Sequence, residues 1–158
     1  MTTHAPPKIL VDELEHSGIS YDLIRHPPTK TAREEARALH VSPSQVAKTI
    51  VLVSPYGIVR AVVPASNRID LRKVREILQT HDVRLATEEE LVGTYPDFEL
   101  GAVPPLTLGD GDRVIVDIRL CFTDEVLLEA GTHDQSLRLQ TSDLLELADA
   151  SLADICES

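Results

Sequence analysis

The sequence predicts an α/β (α+β) fold, a mixed, curled or barrel-like β-sheet flanked by helices, in a single domain of residues 1–158. Three observations predict it. Segments with helical spacing of apolar residues alternate with short β-branched runs, so helices cover a sheet. Hairpin-like pairs of runs interrupt that alternation, so the sheet is not purely parallel. The length of 158 residues suits one core, which at this size buries about 68–70% of the unfolded surface without staples.

Residues 8–17 read as a first helix, entered through Pro6-Pro7 and stopped by Gly18. "SYDLIRH" reads as a short strand ending at Pro27-Pro28, which cannot continue a ladder. "TAREEARALH" is a helix with Thr31 as cap and Glu34 completing a capping box. "SPSQVA" repeats the device with Ser42, Pro43 and Gln45. Residues 49–53 and 58–63 form a hairpin around "SPYG". "DLRKVREIL" is a helix with Leu71, Val74 and Leu78 on one face. A short strand near "VRLA" precedes Thr87, which caps "EEELVG" with Glu90 closing the box. "ELGAVPPLT" has no regular pattern, "RVIVDI", "EVLLEA" and "SLRLQ" read as strands, and residues 142–155 as a closing helix. There is no internal repeat, low-complexity tract or linker.

Cys121 and Cys156 stand far apart and outside any CxxC pattern, which argues against a disulfide framework or a zinc site. No clustered Cys/His/Asp set suggests a metal, and no cofactor is expected. No apolar run approaches 18 residues, and "MTTHAPPKIL" does not read as a signal peptide, so the expectation is a soluble cytoplasmic protein with no membrane partner. With no Trp, three Tyr and two Phe, base-stacking platforms are not expected. The net charge of −11 argues against a general DNA or RNA binder. The charge is uneven, however. Residues 25–84 hold 11 Lys/Arg and 5 Asp/Glu, a balance of +6, against −17 from 4 bases and 21 acids elsewhere. Such a basic middle attracts phosphates locally.

Two stretches carry chemistry. In "QVAKTIVLV", Lys48 stands where an apolar strand begins; a lysine there either snorkels into water or waits for an anion. In "GAVPP", Gly101 leaves the main chain open to close approach, and Pro104 and Pro105 stiffen the exit. Neither a G-x-S-x-G elbow nor an HExxH motif is present, so neither a serine esterase nor a zinc hydrolase is supported. "GDGD" at residues 109–112 lacks EF-hand spacing and reads as a turn.

The segments "RHPPTKTAREEARALHVSPSQVAKTIVLV", "VVPASNRIDLRKVREIL", "LATEEELVGTYPDFELGAVPP", "VDIRL" and "AGTHDQSLRLQTSDLLEL" together resemble the YbaK/ProX family of aminoacyl-tRNA deacylases, whose domain is also the editing insertion of bacterial prolyl-tRNA synthetases. The resemblance spans residues 20 to 148, and its most specific pieces are V-x-K-T at Val46–Thr49 and G-x-x-x-P at Gly101–Pro105. It implies a trans-editing hydrolase that cleaves the ester of a mischarged aminoacyl-tRNA, of tRNA-Pro or with a similar small amino acid. It implies Lys48 beside the terminal adenosine and Gly101 at the head of the loop lining the aminoacyl pocket, as the catalytic pair. Thr49, Ala102, Val103, Pro104 and Pro105 follow as substrate-binding neighbours, with His26 at the entrance and His133 in "AGTHD". The implied partners are the aminoacyl-tRNA 3′ end and an aminoacyl-tRNA synthetase; the oligomeric state stays open. Thr107 replaces a glycine, and Lys30 an aromatic, found in many relatives, which bears on which amino acid is removed. His4, His16, His40 and His81 read as structural or surface residues. The alternatives are a non-catalytic module of the same fold binding a tRNA end or nucleotide, and a lysine enzyme forming a Schiff base, which borohydride trapping detects.

Overall fold

A computed structural model describes residues 6–106 and 111–158. His4 and Thr107, and two of the four residues of "GDGD", lie outside the described residues.

The fold is mixed α+β with two sheets. A five-stranded sheet has the order β4 (Arg84–Leu85), β2 (Ala47–Ser54), β3 (Gly57–Pro64), β5 (Arg113–Asp117), β8 (Ser151–Ala153). A three-stranded antiparallel sheet has the order β1 (Tyr21–Arg25), β7 (Gln135–Gln140), β6 (Glu125–Glu129). β2 and β3 form the expected hairpin across Pro55-Tyr56, while β5 joins β3, and β8 joins β5, in parallel. The two sheets touch through an isolated parallel bridge, Val46↔Leu127. That bridge supplies the expected curl, and the strands stop short of a closed barrel.

The principal core lies between the sheets. Val62, Val116, Leu128 and Leu137 meet Leu10 and Leu14 of α1 (Lys8–Ser17) and Leu144 of α5 (Thr141–Leu147). α3 (Leu71–Leu78) covers the other face of the larger sheet with Val74 and Leu78, while Leu71 is half-buried. α2 (Ala32–Ala38) covers the smaller sheet with Ala36, against Val46 and Leu127. α4 (Glu88–Thr94) packs Leu91 toward Val51, Tyr95 and Val103. Among the described residues no helix is long and apolar enough to cross a membrane.

Three local expectations change. Thr31 caps α2 as expected, but Glu34 reaches back to the Lys30 N–H at 2.7 Å and not to that of Thr31. "SPSQVA" folds as a single 3-10 turn, Pro43–Gln45, with the Ser42 hydroxyl accepting from the Ser44 N–H. The closing helix ends at Leu147. Asp149 turns the chain at φ 47°, and β8 then carries it along β5. The reason is which core each side chain fills: Leu144 and Ala148 belong between the sheets, whereas Ile155 and Cys156 lie on the opposite face with α3. One straight helix cannot serve both faces.

Candidate functional site

β2 is paired along its whole length with β3, but β4 reaches only Leu52 and Val53 on its other side. Between the Val46↔Leu127 bridge and the β4 pairing, this edge of β2 has no strand partner among the described residues. The Val51 carbonyl accepts from the Ala86 N–H on that side, and alternation in an antiparallel ladder points the Thr49 N–H and C=O the same way. Lys48 is the second residue of β2, opposite Val63, and its side chain is half-buried.

A cleft of about 550 Å³ runs along this edge. It is lined by Lys30, Arg33 and Glu35 of the α2 region, Lys48 and Thr49 of β2, Gly101 and Val103 of the loop, and Leu128 and Glu129 of β6, with Lys30, Arg33 and Arg68 at its rim. Lys30, Arg33 and Arg68 are exposed. No acid pairs with these three bases or with Lys48 among the described residues, so the rim carries uncompensated positive charge. Burial, and then the Arg33 guanidinium, hold the Lys48 ammonium below the usual lysine range. No group of three or more His, Cys, Asp or Glu side chains among the described residues is placed to hold a metal.

The Gly101 loop is pinned at several points. Gly101 has φ 82°, a left-handed conformation that favours glycine. Before it, His133 Nε2 lies 2.5 Å from the Leu100 carbonyl, and since a carbonyl only accepts, Nε2 carries the proton. The Ala102 N–H donates to Glu99 O at 3.0 Å, and Glu99 Oε2 accepts from the His133 N–H at 2.9 Å. Beyond it, the fully buried Arg60 donates from Nη1 to Pro104 O at 3.0 Å. Arg60 also faces the Tyr95 ring at 5.6 Å and the Asp112 carboxylate at 4.0 Å, and Tyr95 donates its hydroxyl to Asp112. Among the described residues, the Gly101 and Val103 N–H groups keep no backbone partner. Replacing Arg60 with Met removes one member of a buried charge group and the tie on Pro104. The expected loss is about 3 kcal/mol, a fall of more than about 6 °C in thermal midpoint, checked by calorimetry. A fall under about 2 °C would show that the loop is held elsewhere.

Two carboxyl groups complete the wall. Glu35 is fully buried, and burial pushes its carboxyl up to about 7 against the pull of the Ser136 hydroxyl. Ser136 Oγ donates to Glu35 Oε2, while Oε1 has no hydrogen-bond partner. Glu129 is pushed up to about 9 by burial and then by the negative charges of Glu35 and Glu99. Its Oε2 stands 2.9 Å from His133 Nδ1, but out of line for a hydrogen bond.

Of the residues singled out in the sequence, Lys48, Thr49, Gly101 and Val103 share the cleft. Ala102, Pro104 and Pro105 are buried behind it. His133 sits outside the lining, against the space a Gly101 side chain would take, with Cε1 3.5 Å from an ideal Cβ. His26 also lies outside the lining: its Nδ1 lies 2.8 Å from Pro27 O and its Nε2 2.8 Å from Ser136 Oγ, so it reaches Glu35 through one hydroxyl. Sequence reasoning passed over Glu35, Glu129 and Ser136. The available signal was Glu35 beside Ala36 on the helix face toward the sheet, a place where a carboxylate is rarely buried without purpose.

A family model described as the aminoacyl-tRNA editing domain matches residues 26–147. Among curated proteins, the proline–tRNA ligase of Kosmotoga olearia is 24% identical over 96 residues, which are 61% of this chain and 16% of the ligase. The chain thus matches only a small part of that relative's length. A solved structure of a candidate trans-editing enzyme for prolyl tRNA synthetase is 28% identical, covers 99% of this chain and 100% of its own, and superimposes with a TM-score of 0.89. A solved hypothetical protein is 27% identical over 95% of this chain and 100% of its own, with a TM-score of 0.86.

Proposed function

We propose, because this chain belongs to the aminoacyl-tRNA editing domain family, that it hydrolyses the ester of mischarged aminoacyl-tRNA in trans, on tRNA-Pro or with a similar small amino acid. One observation carries the reading: Lys48 and Gly101 line one cleft whose rim is otherwise basic. An aminoacyl ester is already reactive and has a ribose hydroxyl beside it. Hydrolysis needs a water held in line and donors for the tetrahedral oxyanion. In this reading the Lys48 ammonium, with Arg33 and Arg68, meets the terminal phosphate or the developing charge, as a mobile point charge suits. The Gly101 and Val103 N–H groups face the oxyanion or the water. His133 acts at one remove by fixing Leu100 O, and His26 by fixing Ser136. Holding the reactants in this geometry supplies several kcal/mol, up to about 7–11 in favourable cases. A panel of mischarged tRNAs incubated with the purified protein tests the reaction and names the amino acid. Release from none of them would leave a non-catalytic tRNA-end binder as the function.

The same reading fixes how tRNA should bind. Lys73 is tied to Asp154 and the Cys156 carbonyl, and Arg72 to Asp70, so these two basic residues are already engaged. Arg33 and Arg68, on the cleft rim, are the informative positions. With two to four phosphates met, log affinity falls against log salt with a slope of about −1.5 to −3. Arg68→Glu weakens binding at least about fivefold and flattens that slope. A slope steeper than about −6, or no change on reversing either arginine, would show that tRNA docks elsewhere.

A further inference from the structure

We infer that Glu35 and Glu129 form a receptor for the α-ammonium group of the aminoacyl ester. This rests on the reading above that the ligand is an aminoacyl ester, and adds the residues that recognise its amino end.

The cleft is bipolar. Its bases and acids are sorted by depth: Lys30, Arg33 and Arg68 are exposed at the rim, whereas Glu35 is fully buried and the Glu129 side chain is only 12% exposed. The 3′ end of a charged tRNA is bipolar in the same order. Its phosphate lies on one side of the terminal ribose, and its ammonium lies on the acyl side. A ligand with its phosphate at the rim places its ammonium against the inner wall.

Glu35 has the form of a prepared acceptor. Oε2 is fixed by Ser136, which in turn meets His26, so the carboxyl is oriented. Oε1 is buried without a partner, an arrangement that native structures rarely leave unexplained. A purely structural Glu35 accounts for Oε2 but not for Oε1, nor for a second carboxyl on the facing strand β6. Around the pair stand Glu99 and His133 beyond Glu129, and His26 beyond Ser136. Lys48 and Arg33 line the same cleft. A cation between two buried carboxyls lets both ionise, which the free protein disfavours.

The test is equilibrium binding of two non-hydrolysable mimics of the terminal nucleotide, 3′-alanylamino-3′-deoxyadenosine 5′-phosphate and its 3′-lactoylamino counterpart. They differ by an ammonium against a hydroxyl. Wild type at pH 7.5 is expected to bind the alanyl mimic at least about tenfold more tightly. In Glu35→Gln that ratio falls below about threefold through loss of the alanyl mimic alone, with Glu129→Gln giving the same selective loss. Equal affinity for the two mimics in wild type, binding of neither, or equal loss of both in a folded Glu35→Gln variant would overturn the inference. Binding does not require turnover. Preference without hydrolysis would reject the proposed reaction and keep this subsite, and hydrolysis without preference would do the reverse.

Discussion

Lys48→Ala is expected to lower single-turnover deacylation by at least about a hundredfold while leaving the protein folded. A positioned charge on a developing oxyanion or adjacent phosphate contributes on the order of 3–4 kcal/mol, and each tenfold in rate corresponds to about 1.4 kcal/mol. Removing the ammonium should not cost stability in proportion. It has no acid partner among the described residues, and burial followed by Arg33 disfavours its charged form in the fold. The sign follows from that direction. A lysine depressed in the folded state destabilises the protein at pH values where the unfolded chain keeps it protonated, which includes neutrality. Lys48→Met, which keeps an apolar stem and drops the charge, should therefore melt at or above the wild-type temperature, yet be as inactive as Lys48→Ala. Unchanged turnover in either variant would remove Lys48 from the site. A midpoint falling by many degrees in Lys48→Met would show that the lysine supports the fold instead.

Much of this arrangement was legible because local rules and the fold agree. The first helix ends at Gly18 in a left-handed turn, the β2–β3 hairpin closes over Pro55-Tyr56, and Thr87 with Glu90 forms a full capping box, all from short-range chemistry. The failures were non-local. Nothing within "LLELADASLADI" says that Leu144 and Ile155 belong to cores on opposite faces of a sheet, so a broken helix read as a continuous one. The site divides in the same way. Lys48 and Gly101 stand out as a cation and a bare backbone in unusual company. Glu35 and Glu129 stand far apart in the chain, and they line one cleft where the Val46↔Leu127 bridge brings β6 to the start of β2. His26 and His133 were visible as histidines, but what they touch, Ser136 Oγ and the Leu100 carbonyl, no spacing along the chain reveals.

Gly101→Ala is the second substitution with a large expected effect, about a hundredfold in rate for a modest loss of stability. Steric overlap is not the cause, since an added Cβ would lie 3.5 Å from His133 Cε1, an ordinary contact. The cause is the backbone. At φ 82° an L-residue with a Cβ is strained by about 1–2 kcal/mol, and the chain relieves that strain by rotating. Rotation is resisted on both sides, by His133 on Leu100 O and by Arg60 on Pro104 O, so the displacement falls on the N–H groups of Gly101 and Val103, which have no backbone partner among the described residues. A shift near 1 Å in such donors is enough for about a hundredfold. The same strain predicts a midpoint lowered by only a few degrees. His133→Ala frees the entry of the loop. If both substitutions act through one displacement, the double variant should lose much less rate than the product of the two single losses. The deciding comparison is single-turnover rate per folded molecule against thermal midpoint. If Gly101→Ala melts far below wild type while its folded fraction hydrolyses ester at the wild-type rate, Gly101 is a folding turn, and the oxyanion donors must be sought along the open edge of β2, beginning with the Thr49 N–H.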